Sequence, residues 1–232
     1  MPQGQVWERE YQSPQLLTKK AEPQTDTKAF LKFVRKTEGV TLENLQVLDL
    51  GSGTGRNGNY IAKLGNHSIG LEISPTAVMI ANERAAATGV NAEYHVANFG
   101  AKYDFADHTF DLAIDVMSSN SLNEKERAIY LAEVSRVLKP EAHFFLKTLC
   151  KDGDKNAKNL LKLSPGKEYD TYINEQMGLT ERVFSREDLT ALYSPYFKIQ
   201  RLMMKTNYVR FGGQSYKRNY WLCYMKKTKL KS

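Results

Sequence analysis

Cysteine is scarce in this chain, with only Cys150 and Cys223 among 232 residues. Two such distant thiols give neither a disulfide framework nor a zinc-binding pattern. Histidine is scarce as well. His67, His95, His108 and His143 fall at no spacing that suits metal ligands, so no metal is expected. No apolar run approaches the roughly 20 residues that span a bilayer. Residues 1–10 are polar and lack the apolar core of a signal peptide, so a cytoplasmic location without membrane contact is the expectation. There is no acidic excess either. Lys and Arg number 33 against 26 Asp and Glu, a net charge of +7, which leaves nucleic acid open as a partner. The excess sits late, in Lys198, Arg201, Lys205, Arg210, Lys217, Arg218, Lys226, Lys227, Lys229 and Lys231. The final four read as part of a solvated tail, residues 227–232 being its span.

What is present is an ordinary globular balance, 41% hydrophobic and 25% charged, enough to bury a core. Its length suits one large domain. The chain is organised around Val47-Leu48-Asp49-Leu50-Gly51-Ser52-Gly53-Thr54-Gly55-Arg56-Asn57-Gly58. A short apolar run suits a buried parallel strand. Glycines then alternate, and a helical pattern begins at Tyr60 and Ile61. Strand, glycine turn and helix is how an α/β domain holds a nucleotide at the carboxyl edge of its sheet. The spacing discriminates among nucleotides. Arg56 stands where G-x-G-x-x-G needs its third glycine. Asn59 and Tyr60 stand where a P-loop needs Lys and Ser/Thr. What remains is D-x-G-x-G-x-G, with an acid that would repel a pyrophosphate but attract an amine.

This stretch resembles the first motif of the class I S-adenosylmethionine-dependent methyltransferases. The resemblance implies that Asp49, Gly51, Ser52, Gly53, Gly55 and Asn57 cradle the methionine and ribose parts of the cofactor. Glu72 ends a second strand, residues 67–72, roughly 20 residues past the loop, where an acid bonds ribose hydroxyls. In the resembling family the position of Ile73 packs on adenine, and an acid at the position of Asn98, beside Phe99, bonds the adenine amino group. The asparagine carbonyl can accept that bond. Phe110-Asp111 matches the family's opening of a fourth strand. Val116 and Met117 follow that strand and are expected at the cofactor, with Asp115 as the one candidate general base. Arg136-Val137-Leu138-Lys139-Pro140 resembles the family's "RVLKPGG", with Glu141 and Ala142 replacing the glycines. The absence of an N-P-P-[YF] or D-P-P-[YF] tetrapeptide argues against the amine methylases that carry one. RNA cytosine methylases use a Pro-Cys motif this chain lacks, so Cys150 is not expected to act as a nucleophile.

The expected fold is α/β and Rossmann-like, a seven-stranded mostly parallel sheet with an antiparallel last strand and helices on both faces. Residues 1–40 form an arm and helix. Its Trp7 and Tyr11, four apart, share one face of a helical turn. The segment from Val6 to Tyr11 resembles the aromatic lead-in of small-molecule methyltransferases, which implies an arm folded over the cofactor, the alternative being that both rings staple the arm to the domain. Residues 41–226 form the methyltransferase domain. Residues 197–204 and 219–225 are expected as the closing strand pair. Residues 151–184 interrupt the strand–helix alternation, and residues 205–218 read as a long loop. Both are expected to shape the acceptor side, as are Asn120 and Tyr172. The expected activity is methyl transfer to a small molecule, the alternative being an RNA or protein acceptor met by the basic late segment. The acceptor and the oligomeric state stay open.

Overall fold

The computed structural model describes residues 3–13, 21–211 and 214–228. Seven strands form one sheet, in the order β3-β2-β1-β4-β5-β9-β8. These are β1 (Gln46–Leu50), β2 (His67–Glu72), β3 (Ala92–Val96), β4 (Phe110–Val116), β5 (Leu138–Leu149), β8 (Phe197–Phe211) and β9 (Gln214–Lys227). β1 to β5 pair in parallel, and β9 inserts antiparallel between β5 and β8. Strand order reverses between β2 and β4 at β1, so a crevice opens at the carboxyl end of β1. A separate hairpin, β6 (Thr171–Asn174) and β7 (Leu179–Arg182), lies in the insert after β5.

Alternation along each central strand feeds two cores, as expected when helices cover both faces. Val47, Leu112, Ile114, Phe145, Leu222 and Tyr224 meet α2 (Thr25–Thr37) through Phe30, Phe33 and Val34, and α3 (Arg56–Lys63) through Ile61. Leu48, Leu50, Phe144, Leu146, Trp221 and Cys223 meet α5 (Glu124–Val137) and α7 (Arg186–Tyr193) on the other face. Each large side chain so buried stabilises the fold by about 1.5–3 kcal/mol. α4 (Pro75–Thr88) packs on Tyr94 of β3. It starts as its sequence foretells, with Ser74 accepting from the Ala77 amide and Pro75 in the first turn. α5 carries a full capping box of Asn123 and Glu126, and α7 one of Ser185 and Asp188.

Three expectations change. Residues 205–218 are not a long loop. β8 and β9 run on in register from Lys205↔Tyr220 to Phe211↔Gln214. Both faces of this ribbon carry polar residues, which masked the strand pattern. The insert at 151–184 also carries order of its own, α6 (Lys155–Leu163) and the β6–β7 hairpin. Finally, Lys226 and Lys227 belong to β9 rather than a solvated tail. Lys227 is buried and donates to the Leu138 carbonyl at 2.6 Å, and Lys226 pairs with Glu141 at 3.0 Å. Glu141 has φ +66° where the resembling family has glycine. Residues 229–232 lie outside the described residues.

Candidate active site

The turn after β1 is shaped by its glycines. Gly53 has φ +54°, and a Cβ there would lie 2.6 Å from the Tyr11 hydroxyl. Gly55 enters α3 at φ +76°, and a Cβ there would strike the Tyr94 ring. Only glycine holds both conformations without strain. Glu72 fastens the turn to the end of β2. Its carboxylate accepts from the amides of Gly53 at 2.9 Å, Ile73 at 2.7 Å and Ser74 at 3.0 Å. A carboxylate has about four lone-pair sites, so one faces onward. Burial raises the Glu72 carboxyl, while the three amides pull it back. Asp49 is 2% exposed and accepts from the Gly58 amide at 3.1 Å. Burial, opposed by that amide and reinforced by Asp115 and Glu72, pushes its carboxyl up to about 7.

These groups line a cavity of about 480 Å³ at the crevice, within the usual size of a small-molecule site. Asp49, Gly51, Ser52, Gly53, Glu72, Ile73, Asn98, Phe99, Val116 and Met117 all border it, as does Asn57. Asn57 also clamps α2, its carbonyl accepting from the Gln24 amide at 3.0 Å and the Thr27 hydroxyl at 3.2 Å. α1 (Gly4–Gln12) closes the cavity, and Trp7 and Tyr11 both border it. Between them Glu8 docks on the start of α4, accepting from the hydroxyls of Ser74 and Thr76, each at 2.5 Å. Those bonds outweigh burial and hold the Glu8 carboxyl below its usual value. A negative charge there suits the helix N-terminus. At the other end of α1, Gln3 bonds Thr180 of β7 in both directions, donating at 2.9 Å and accepting at 2.7 Å.

Four expected site residues do not border this cavity. Gly55 serves the entry of α3 instead. Asp115 is fully buried behind the wall. Its carboxylate accepts from the Ser118 hydroxyl at 2.5 Å, the Ser119 amide at 3.3 Å and the Tyr130 hydroxyl at 2.7 Å. It braces the turn after β4 and does not border the cavity. Asn120 and Tyr172 meet away from the cavity lining on one carboxylate, Glu181. Asn120 donates to it at 2.7 Å and Tyr172 at 2.7 Å, while Arg218 donates to the Tyr172 hydroxyl at 3.3 Å. Burial raises the Glu181 carboxyl. Cys150 is buried, and burial pushes its thiol up to about 12, which makes it inert as a nucleophile.

The late basic residues are partly engaged within the fold. Lys205 and Lys147 both pair with Asp26, at 2.5 and 2.9 Å, and Arg218 approaches Asp154 at 3.5 Å. Cavity residues not foreseen from sequence include Gln3, Arg56, Arg84 and Glu126. Arg56 directly follows the third glycine of the motif, a signal that could have found it. It makes no hydrogen bond or ion pair with another described residue. Glu126 was visible only as a helix-capping residue. Among the described residues no cluster suits a metal, and no helix is long and apolar enough to cross a membrane.

Residues 47–141 match the family model described as a methyltransferase domain. The chain has a class I S-adenosylmethionine-dependent methyltransferase domain. Proteins named as methyltransferases are among its relatives. An uncharacterized methyltransferase of Schizosaccharomyces pombe is 29% identical over 101 residues, covering 44% of this chain and 69% of its own. The sterol 4-C-methyltransferase of Caenorhabditis elegans is 34% identical over 118 residues, covering 50% of this chain and 35% of its own. A crystal structure of a Methanosarcina mazei S-adenosylmethionine-dependent methyltransferase superposes with TM-score 0.70 and 26% identity, covering 80% of this chain and 93% of the other. The methyltransferase sheet thus has its cavity where the glycine turn, Glu72 and α1 converge. Ser52 and Ser121, both at the cavity, have buried hydroxyl oxygens without a partner. Buried polar groups normally find one, and a polar ligand such as the cofactor fits that need.

Proposed function

We propose that this protein transfers a methyl group from S-adenosylmethionine to a small-molecule acceptor, with the cavity under α1 holding the cofactor. One observation carries this reading. The glycine turn, the acids at the ends of β1 and β2, and Ile73, Asn98 and Phe99 all border a single cavity closed by two aromatic residues of α1. In this reading Asp49 faces the cofactor's ammonium and the unpaired Arg56 its carboxylate, a zwitterion matched by opposite charges. Glu72 offers its remaining lone pair to the ribose. Ile73, Ile80 and Phe99 give the base an apolar slot. The small-molecule acceptor is supported by the worm relative, named for a sterol, and by the enclosure, which suits a compact partner better than a polymer.

When bound, the cofactor supplies a sulfonium-activated methyl group. The residues of this chain contribute orientation and exclusion of water. Trp7 and Tyr11 cover the site, with α1 held by Glu8 at one contact and Gln3 at another. Asp49, Glu72 and Glu126 are the carboxylates that border the cavity, and Asp115 does not. In this reading transfer rests on positioning an acceptor that is already nucleophilic, rather than on Asp115 as a base.

The test incubates the protein and isotopically labelled S-adenosylmethionine with separate metabolite, RNA and protein pools. Label is expected in the metabolite pool. Label confined to RNA or protein would overturn the acceptor class. No label in any pool, together with no binding of S-adenosylhomocysteine, would overturn the whole reading.

A further inference from the structure

The base-binding end of the cavity departs from what the resemblance implied. Asn98 stands at the position of the expected acid, but its carbonyl already accepts from the Gly100 amide at 2.9 Å. Its amide nitrogen turns the other way and donates to Glu126 at 3.3 Å. Glu126 comes from the first turn of α5 and borders the same cavity as Asn98, Ile73 and Phe99. Its other oxygen accepts from the Asn123 amide at 3.1 Å, so the carboxylate is oriented from two sides. The approach of α5 depends on Gly100. A Cβ there would lie 2.7 Å from the Glu126 Cβ and 3.0 Å from Leu122. The turn after β3 thus lacks an acid but leaves room for one from another element.

We propose that Glu126, aimed by Asn98 and admitted by Gly100, accepts the hydrogen bond from the exocyclic amine of the cofactor's adenine and makes the site select adenine over hypoxanthine. The inference rests on the cofactor reading above. A carboxylate only accepts hydrogen bonds. Two of its roughly four lone-pair sites are taken by Asn98 and Asn123, which leaves acceptor capacity toward the cavity. An amine at the six-position of the base satisfies it. A carbonyl oxygen at that position faces the carboxylate with like partial charge, and an acceptor left unmet beneath a bound ligand discriminates strongly. Asn98 is a positioning residue in this arrangement, and Glu126 is the group that reads the base.

Titration calorimetry with S-adenosylhomocysteine and its hypoxanthine counterpart, S-inosylhomocysteine, tests this without any methyl acceptor. The protein is expected to prefer the adenine ligand by about 10- to 100-fold, the worth of a hydrogen bond to a charged group. Glu126→Gln keeps an acceptor oxygen for Asn123 and adds an amide that can donate to a carbonyl. It should shrink the preference about tenfold or more, with affinity for the inosyl ligand rising. Impaired folding cannot raise an affinity, so that gain separates recognition from stability. An unchanged preference in Glu126→Gln would overturn the inference. So would a preference that survives in Glu126→Gln but collapses in Asn98→Ala, because Asn98 would then be the reader. If the unaltered protein binds neither ligand, the cofactor reading itself falls. If it binds both equally, that reading stands and this inference does not.

Discussion

On the β1–β2–β3 side of the cavity, the functional groups stand on short turns that directly follow strands. Asp49 and Glu72 are tied to backbone amides of the turns that follow β1 and β2, as in the three amides held by Glu72. On the β5–β9 side, the polar groups come from distant parts of the chain. Asn120, Tyr172, Glu181 and Arg218 meet only because an insert hairpin folds back onto the turn after β4 and the long β8–β9 ribbon. In the proposed reading the first side holds the methyl donor and needs little more than local geometry. The second would then meet the acceptor, and it is assembled by contacts between distant parts of the chain.

The sharpest way to break this comparison is at Gly53. Gly53→Val places a branched side chain at φ +54° and against Tyr11. Strain and clash together should weaken S-adenosylhomocysteine binding on the order of 100-fold or more, measured by calorimetry. Removing the ring in a Gly53→Val, Tyr11→Ala double variant should recover part of that loss.

A pH titration comes next in size. Asp49 must be ionised to face an ammonium group, and its carboxyl sits at about 7 in the free protein. The ionised fraction falls about tenfold per unit below that value. Affinity should therefore drop about 100-fold from pH 8 to pH 5, and Asp49→Asn should flatten the profile. A steep profile surviving in Asp49→Asn would assign the titration elsewhere.

The acceptor side should respond in stability rather than in cofactor affinity. Glu181→Ala removes the acceptor of both the Tyr172 hydroxyl and the Asn120 amide and should cost about 2 kcal/mol in urea denaturation. Cofactor affinity should change less than about threefold, since well-separated sites are additive. A large loss of cofactor affinity would join the two sides into one unit.

The smallest effect is expected at the Gln3 contact. Gln3→Ala removes its side-chain bonds to Thr180 and Ser121. It should speed release of S-adenosylhomocysteine several-fold while leaving Tm within about 2 °C, because a lid contact contributes little to global stability. Stopped-flow displacement reads the rate.

The same contrast explains what could be read before the structure. D-x-G-x-G-x-G is contiguous, and each glycine is demanded by a backbone angle, so the motif alone placed Asp49, Gly53 and the entry to α3. Glu72 followed from a fixed strand–helix–strand distance. Trp7 and Tyr11 followed from a resemblance to the family's aromatic lead-in, helical spacing giving only their shared face. Asp115 misled because its position at the end of β4 says where the residue lies, not which way its carboxylate is held, and Tyr130 and Ser118 hold it in the core. The β8–β9 ribbon escaped notice because its polar alternation resembles a loop until the two strands are paired. Glu181 had no signal at all, being defined by partners far away in the chain.

Hydrogen–deuterium exchange with and without S-adenosylhomocysteine tests the central claim most directly. Added ligand should slow exchange in α1 at residues 4–12, in the turn at residues 51–55 and in residues 72–74 and 98–100, while leaving the β6–β7 hairpin unchanged. Protection confined to β6–β7, or no protection in α1 and the glycine turn, would contradict the placement of the cofactor under α1.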